Sequence, residues 1–159
     1  MGLGGALVGA PGGPGYLWWS DVDFWEYNEH NIDDKGRLVL PASFRSAFEG
    51  GGVLTFVGRS VGIFEHARWD AKLRQLRDSG DFSNDEIRLV KSLVTEFTPD
   101  SQNRVTLPAR LRERAGIERE VALIGMGDHV AVYARDAWKA FEARLDAGGD
   151  LADRLSEAI

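Results

Sequence analysis

The chain carries one stretch of sequence in two copies. Residues 31–45 read NIDDKGRLVLPASFR, and residues 98–112 read TPDSQNRVTLPARLR. Aligned from Asp33 and Asp100 over thirteen positions, six residues are identical: Asp33/Asp100, Arg37/Arg104, Leu40/Leu107, Pro41/Pro108, Ala42/Ala109 and Arg45/Arg112. Pairing by chance at ordinary residue frequencies would give about one. The chain is therefore built on a duplicated unit. Each copy has too few residues to close a core alone, so the two are expected to share one.

Composition removes several function classes. The 159 residues contain no Cys, which excludes disulfides, thiolate nucleophiles and thiolate metal sites. No apolar run approaches the roughly 20 residues of a membrane-spanning helix. His30, His66 and His129 lack metal-ligand spacing. No nucleophile elbow, phosphate loop or H-E-x-x-H pattern occurs, so neither an enzyme, nor a cofactor, nor a small-molecule substrate is expected.

The net charge of −6 taken alone argues against a nucleic-acid partner, but the charge is unevenly distributed. Asp21, Asp23, Glu26, Glu29, Asp33 and Asp34 crowd the leading arm, and the tail after Phe141 is acidic. Residues 104–119 instead hold five arginines against Glu113 and Glu118, and no acid lies between Lys35 and Arg45. Charges act within a Debye length of about 8 Å in physiological salt, so local sign decides.

Residues 1–23 open with seven Gly and two Pro in the first sixteen positions, a composition expected to stay disordered or to reflect a start placed too far upstream. A first unit, 24–80, then reads as strand 24–31, a turn at Asp33–Gly36, strand 37–40, and a helix from Pro41 to Phe48 ended by Gly50-Gly51-Gly52. Strands 53–58 and 61–65 and a helix over 68–77 follow. Ser83-Asn84-Asp85-Glu86 forms a capping-box pattern ahead of a connecting helix, 81–92, whose end competes with a strand over 93–98. The second unit, 93–146, repeats the order with a turn at 99–103, strand 104–107, helix 108–115 closed by Gly116, and strands at 121–125 and 129–134. Residues 147–159 read as a tail. Trp69 and Trp138 occupy matching places and are expected to anchor the core.

Arg37 and Arg104 stand in equivalent turns, and a planar guanidinium fork suits phosphates and the O6/N7 edge of guanine. An isolated Asp-x-Lys-Gly-Arg is ordinarily a solvated hairpin tip; the duplication is what raises it to a candidate site. Arg45 and Arg112 have two readings: pairing with Asp33 and Asp100 to brace the hairpin, or contacting phosphate. The joint duplication of Asp and Arg favours bracing.

The segments FWEYNEHNIDDKGRLVLPASFR, VGIFEHARW, DSQNRVTLPARLRERAGI and HVAVYARDAW together resemble the MraZ family of bacterial transcriptional regulators, from Phe24 to about residue 146. The resemblance implies an α+β, mostly β fold: two AbrB-like swapped-hairpin repeats in an intertwined pseudo-twofold β-barrel with short helices. It implies a homo-oligomeric ring binding double-stranded promoter DNA at TGGG-type direct repeats upstream of its own division and cell-wall operon. That places the protein in the cytoplasm, at the nucleoid. Carried over by motif, the contacts are Lys35 and Arg37 in the first hairpin and Gln102 and Arg104 in the second, with Asp33, Gly36, Asp100 and Asn103 forming the turns. Asn103 departs from the family's glycine, although Asn is the other residue that tolerates positive φ.

Trp18-Trp19 must be encoded by TGGTGG, similar to such repeats, so the leader is a candidate for promoter DNA read as protein; mapping the transcript's 5′ end tests this. The rival reading is a module whose hairpins bind protein, as antitoxin-like relatives of this unit do.

Overall fold

The computed structural model describes residues 23–159; the leader and its Trp18-Trp19 pair lie outside the described residues. The first copy comprises β1 (Tyr27–Asn31), β2 (Arg37–Val39), α1 (Ala42–Arg45), β3 (Gly52–Val57), β4 (Ser60–Phe64) and α2 (His66–Asp78). After α3 (Asn84–Ser92) the same order returns as β5 (Thr95–Phe97), β6 (Arg104–Thr106), α4 (Ala109–Ala115), β7 (Glu120–Gly125), β8 (Val130–Ala134) and α5 (Arg135–Ala147). A final helix, α6, spans Leu151–Ala158.

The two copies exchange strands. The larger sheet has the order β1-β7-β8-β4-β3-β5, so β1 of the first copy lies on β7 of the second and β5 of the second lies on β3 of the first. Among the described residues, the remaining strands, β2 and β6, pair with each other in a second, two-stranded sheet. Both sheets read the same after the copies are interchanged, with pseudo-twofold centres at Gly62↔Ala131 and Leu38↔Val105. The fold is mixed α+β, mostly sheet, and interleaved as expected. Within the six-stranded sheet β1 and β5 remain edges, and the β2-β6 ribbon supplies a second layer over the same core.

Strand periodicity explains that shared core. Leu38 and Leu40 from the first copy and Val105 and Leu107 from the second point inward and are at most 1% exposed. They meet Phe44, Phe48 and Leu111 from the helices and Val61, Ile63, Leu123 and Val132 from the large sheet. Phe24 stacks on Phe48 at 5.4 Å and meets Phe44 edge-on at 5.7 Å. Its backbone also bonds Gly127 in both directions at 2.8 Å, stitching the leading arm to the second copy.

Several local expectations shift. Pro41 and Pro108 stand one residue before their helices, at the N-cap, where a missing N–H is equally harmless. The first of these helices is one α turn, and Ser46–Phe48 continue as a 3-10 turn. At the α3 boundary the strand wins: the helix stops at Ser92 and Thr95–Phe97 pair with β3. Within residues 147–159, expected as a tail, Leu151–Ala158 form α6. Trp69 is a core residue at 6% exposure, whereas Trp138 is half-buried in a surface cluster with Tyr27, Tyr133 and Phe141.

Candidate nucleic-acid interface

Each duplicated turn is built around its aspartate. In the first, Asp33 Oδ1 accepts from the backbone N–H of Lys35 and of Arg37, each at 2.9 Å. The backbone closes with Gly36 N–H donating to Asp33 O at 2.9 Å and Asp33 N–H to Arg37 O at 3.0 Å. The second copy repeats this bond for bond: Asp100 Oδ1 accepts from Gln102 and Arg104 N–H at 2.9 Å. Asn103 N–H donates to Asp100 O at 2.9 Å. Gly36 has φ +75° and Asn103 φ +60°, so asparagine sustains the left-handed turn.

The same aspartates orient the arginines. Arg37 Nε donates to Asp33 Oδ2 at 2.6 Å, and Arg104 Nε to Asp100 Oδ2 at 2.7 Å. Backbone N–H donation from Arg37, joined by its side chain, Lys35 N–H and its positive charge, holds the Asp33 carboxyl below the usual carboxylate range despite an opposing desolvation effect. Arg104 and Gln102 do the same for Asp100. Each ion pair uses only Nε, and the terminal guanidinium nitrogens have no hydrogen-bond partner among the described residues. The turn thus presents a pre-oriented cationic fork.

The bracing role expected of Arg45 and Arg112 takes a different form. Neither pairs with Asp33 or Asp100, because Arg37 and Arg104 occupy those carboxylates. Arg45 Nε instead donates to Leu40 O at 2.8 Å, and Arg112 Nε to Leu107 O at 2.9 Å, pinning each strand-to-helix corner. Arg112 also crosses between copies: a Cβ on Gly36 would lie 3.0 Å from its guanidinium carbon. Leu107 N–H donates to Gly36 O at 2.8 Å and Leu40 N–H to Asn103 O at 2.9 Å, so each turn rests on the other copy's corner.

Lys35 and Gln102 are exposed at the two tips. The ribbon between them has two faces. Leu38 and Val105 point into the core, and Arg37, Val39, Arg104 and Thr106 lie on the opposite side. The duplicated identities do not mark out Val39 and Thr106; the strand period of two places them there.

Two open hollows lie among the described residues, one of about 420 Å³ lined mainly by the charged Glu118, Arg119, Glu120, Arg135 and Asp136, the other of about 220 Å³ lined by Gly50, His66, Glu96, Phe97 and Thr98. Among the described residues, no group of three or more His, Asp or Glu has metal-holding geometry. No helix among them is long and apolar enough to cross a membrane.

These features define a class of protein: two interleaved β-β-α-β-β-α units that trade strands and display a matched pair of arginine-bearing turns. The family model named MraZ matches residues 24–93 and again 94–155, and the chain belongs to that family. Similar relatives include the Transcriptional regulator MraZ of Thermomicrobium roseum, 37% identical over 82% of this chain and 95% of its own length. The protein of that name from Clavibacter michiganensis is 36% identical over 78% of this chain and 90% of its own. That from Kocuria rhizophila is 38% identical over 71% and 82%.

Proposed function

We propose that this protein is a sequence-specific DNA-binding transcriptional regulator that reads short TGGG-type direct repeats in double-stranded promoter DNA upstream of its own division and cell-wall operon. The observation that carries the reading is the pair of equivalent turns in which Asp33 and Asp100 aim the unengaged guanidinium ends of Arg37 and Arg104. Lys35 and Gln102 flank them as further contacts, and Arg45 and Arg112 support the turns from behind. The names of the relatives agree with regulation of transcription. This role puts the protein in the cytoplasm at the nucleoid.

One ribbon with two arginines binds weakly, since a good bidentate base contact gives about 1–3 kcal/mol of discrimination. Assembly of several subunits into a homo-oligomeric ring would multiply affinity by about 10² to 10⁴ when repeat spacing matches subunit spacing. Supporting self-association, α5 and α6 leave Phe141, Leu145, Leu151 and Leu155 at least 36% exposed, and Trp138 Nε1 is buried without a hydrogen-bond partner among the described residues. These exposed apolar side chains are also what favours the second reading, an antitoxin-like module that binds a protein partner.

Fluorescence anisotropy with DNA from immediately upstream of the gene, against a scrambled duplex over a salt series, tests the proposal. Preference for the native duplex with steep loss of affinity in salt is expected. Equal, weak binding to both duplexes would transfer support to the protein-partner reading.

A further inference from the structure

The ribbon between the two turns has a composed solvent face of its own. Arg37 lies directly across from Thr106, and Val39 directly across from Arg104. With side chains alternating along each strand, these four residues share one side, while Leu38 and Val105 fill the other at 0% and 1% exposure. Each guanidinium therefore has a small methyl-bearing neighbour on the facing strand. Val39 is 40% exposed, an apolar side chain set between two cations.

The dimensions suit the major groove of B-DNA. Strands in a ribbon lie about 4.8 Å apart, and two residues of extended chain span about 7 Å. The two arginine Cα atoms are thus separated by about two base steps along the ribbon, within a groove about 12 Å wide that admits a two-stranded ribbon. Arginine there reads guanine O6 and N7, and the methyl groups of valine or threonine match the C5-methyl of thymine.

We infer that Val39 and Thr106 are specificity-determining residues, each packing its methyl groups on a thymine methyl beside the guanine read by the arginine across the ribbon. This rests on the DNA-binding reading above and extends it from the turns to the ribbon face. The near-equivalent pairs Arg37–Thr106 and Val39–Arg104 differ only in valine against threonine, so the two ends would read related but unequal steps.

The test uses the full chain and two versions of the native upstream duplex, one with every thymine replaced by uracil, which removes only the C5-methyl. Burial of one methyl is worth about 0.8 kcal/mol, or about fourfold in affinity. Wild-type protein is expected to lose about fourfold per contacted methyl on the uracil duplex. Val39→Ala and Thr106→Ser should bind the thymine duplex more weakly and discriminate less between the two duplexes. Both positions are exposed, so circular dichroism should show an unchanged fold. If wild type prefers the native duplex to a scrambled one yet all three proteins show the same thymine-to-uracil ratio, the ribbon-face inference is overturned and the turns stand alone. If wild type shows no such preference, the DNA reading itself fails.

Discussion

Gly36→Ala tests how the two copies hold each other. At φ +75° an alanine pays the left-handed penalty of about 1–2 kcal/mol. Its Cβ would also meet Arg112 Cζ and Nε at 3.0 Å and Nη2 at 3.2 Å. Moving that guanidinium loosens the 2.9 Å bond from Arg112 Nε to Leu107 O. A hydrogen bond from a charged group contributes about 1.5–3 kcal/mol, and partial loss at this half-buried site brings the total to about 2–3 kcal/mol. For a chain of this size that lowers the melting temperature by about 5–10 °C. Urea unfolding followed by tryptophan fluorescence measures it directly. In an Arg112→Ala background only the backbone penalty should remain, so the cost of Gly36→Ala should drop by at least about 0.5 kcal/mol. Equal costs in the two backgrounds would refute contact between copies through Arg112, because additivity marks independent sites.

Other substitutions probe the remaining supports. Ser83→Ala removes the capping box of α3, in which Ser83 Oγ accepts from Glu86 N–H at 3.1 Å and Glu86 Oε1 accepts from Ser83 N–H at 2.8 Å. A loss of about 1 kcal/mol is expected, with faster amide exchange over Asn84–Ser92. Asp33 and Asp100 have carboxyls depressed below their ordinary value of 3.8, so the stability they add is complete above about pH 4 and declines as acid protonates the folded form. The Asp33→Asn, Asp100→Asn variant should be less stable at pH 7 and should lose less stability on acidification than wild type; parallel pH profiles would count against the turn geometry.

What the sequence revealed and what it concealed have separate physical causes. The duplication, the turn residues and the two Leu-Pro corners are written in the sequence itself, and they led directly to the strands, short helices and shared core. The partners of the arginines depend on three dimensions. Sequence spacing could not distinguish Arg37 from Arg45 as the ligand of Asp33, because the choice is made when the turn folds Arg37 back onto it. The contact of Arg112 with Gly36 joins residues from different copies and becomes visible only once the strands are exchanged. The end of α3 was legible as a competition but not as an outcome, since pairing of Thr95–Phe97 with β3 settles it. Trp138 matches Trp69 in position yet stays half-buried, because its neighbours Tyr27, Tyr133 and Phe141 form a surface cluster rather than core.

The central claim is that the two aspartate-held arginines read DNA. Its most direct measurement is the affinity ratio between native upstream and scrambled duplexes for wild type and for an Arg37→Ala, Arg104→Ala variant, with sedimentation and circular dichroism on both proteins. The account predicts that the ratio collapses toward one while fold and assembly are kept. A variant that retains the wild-type ratio would contradict it.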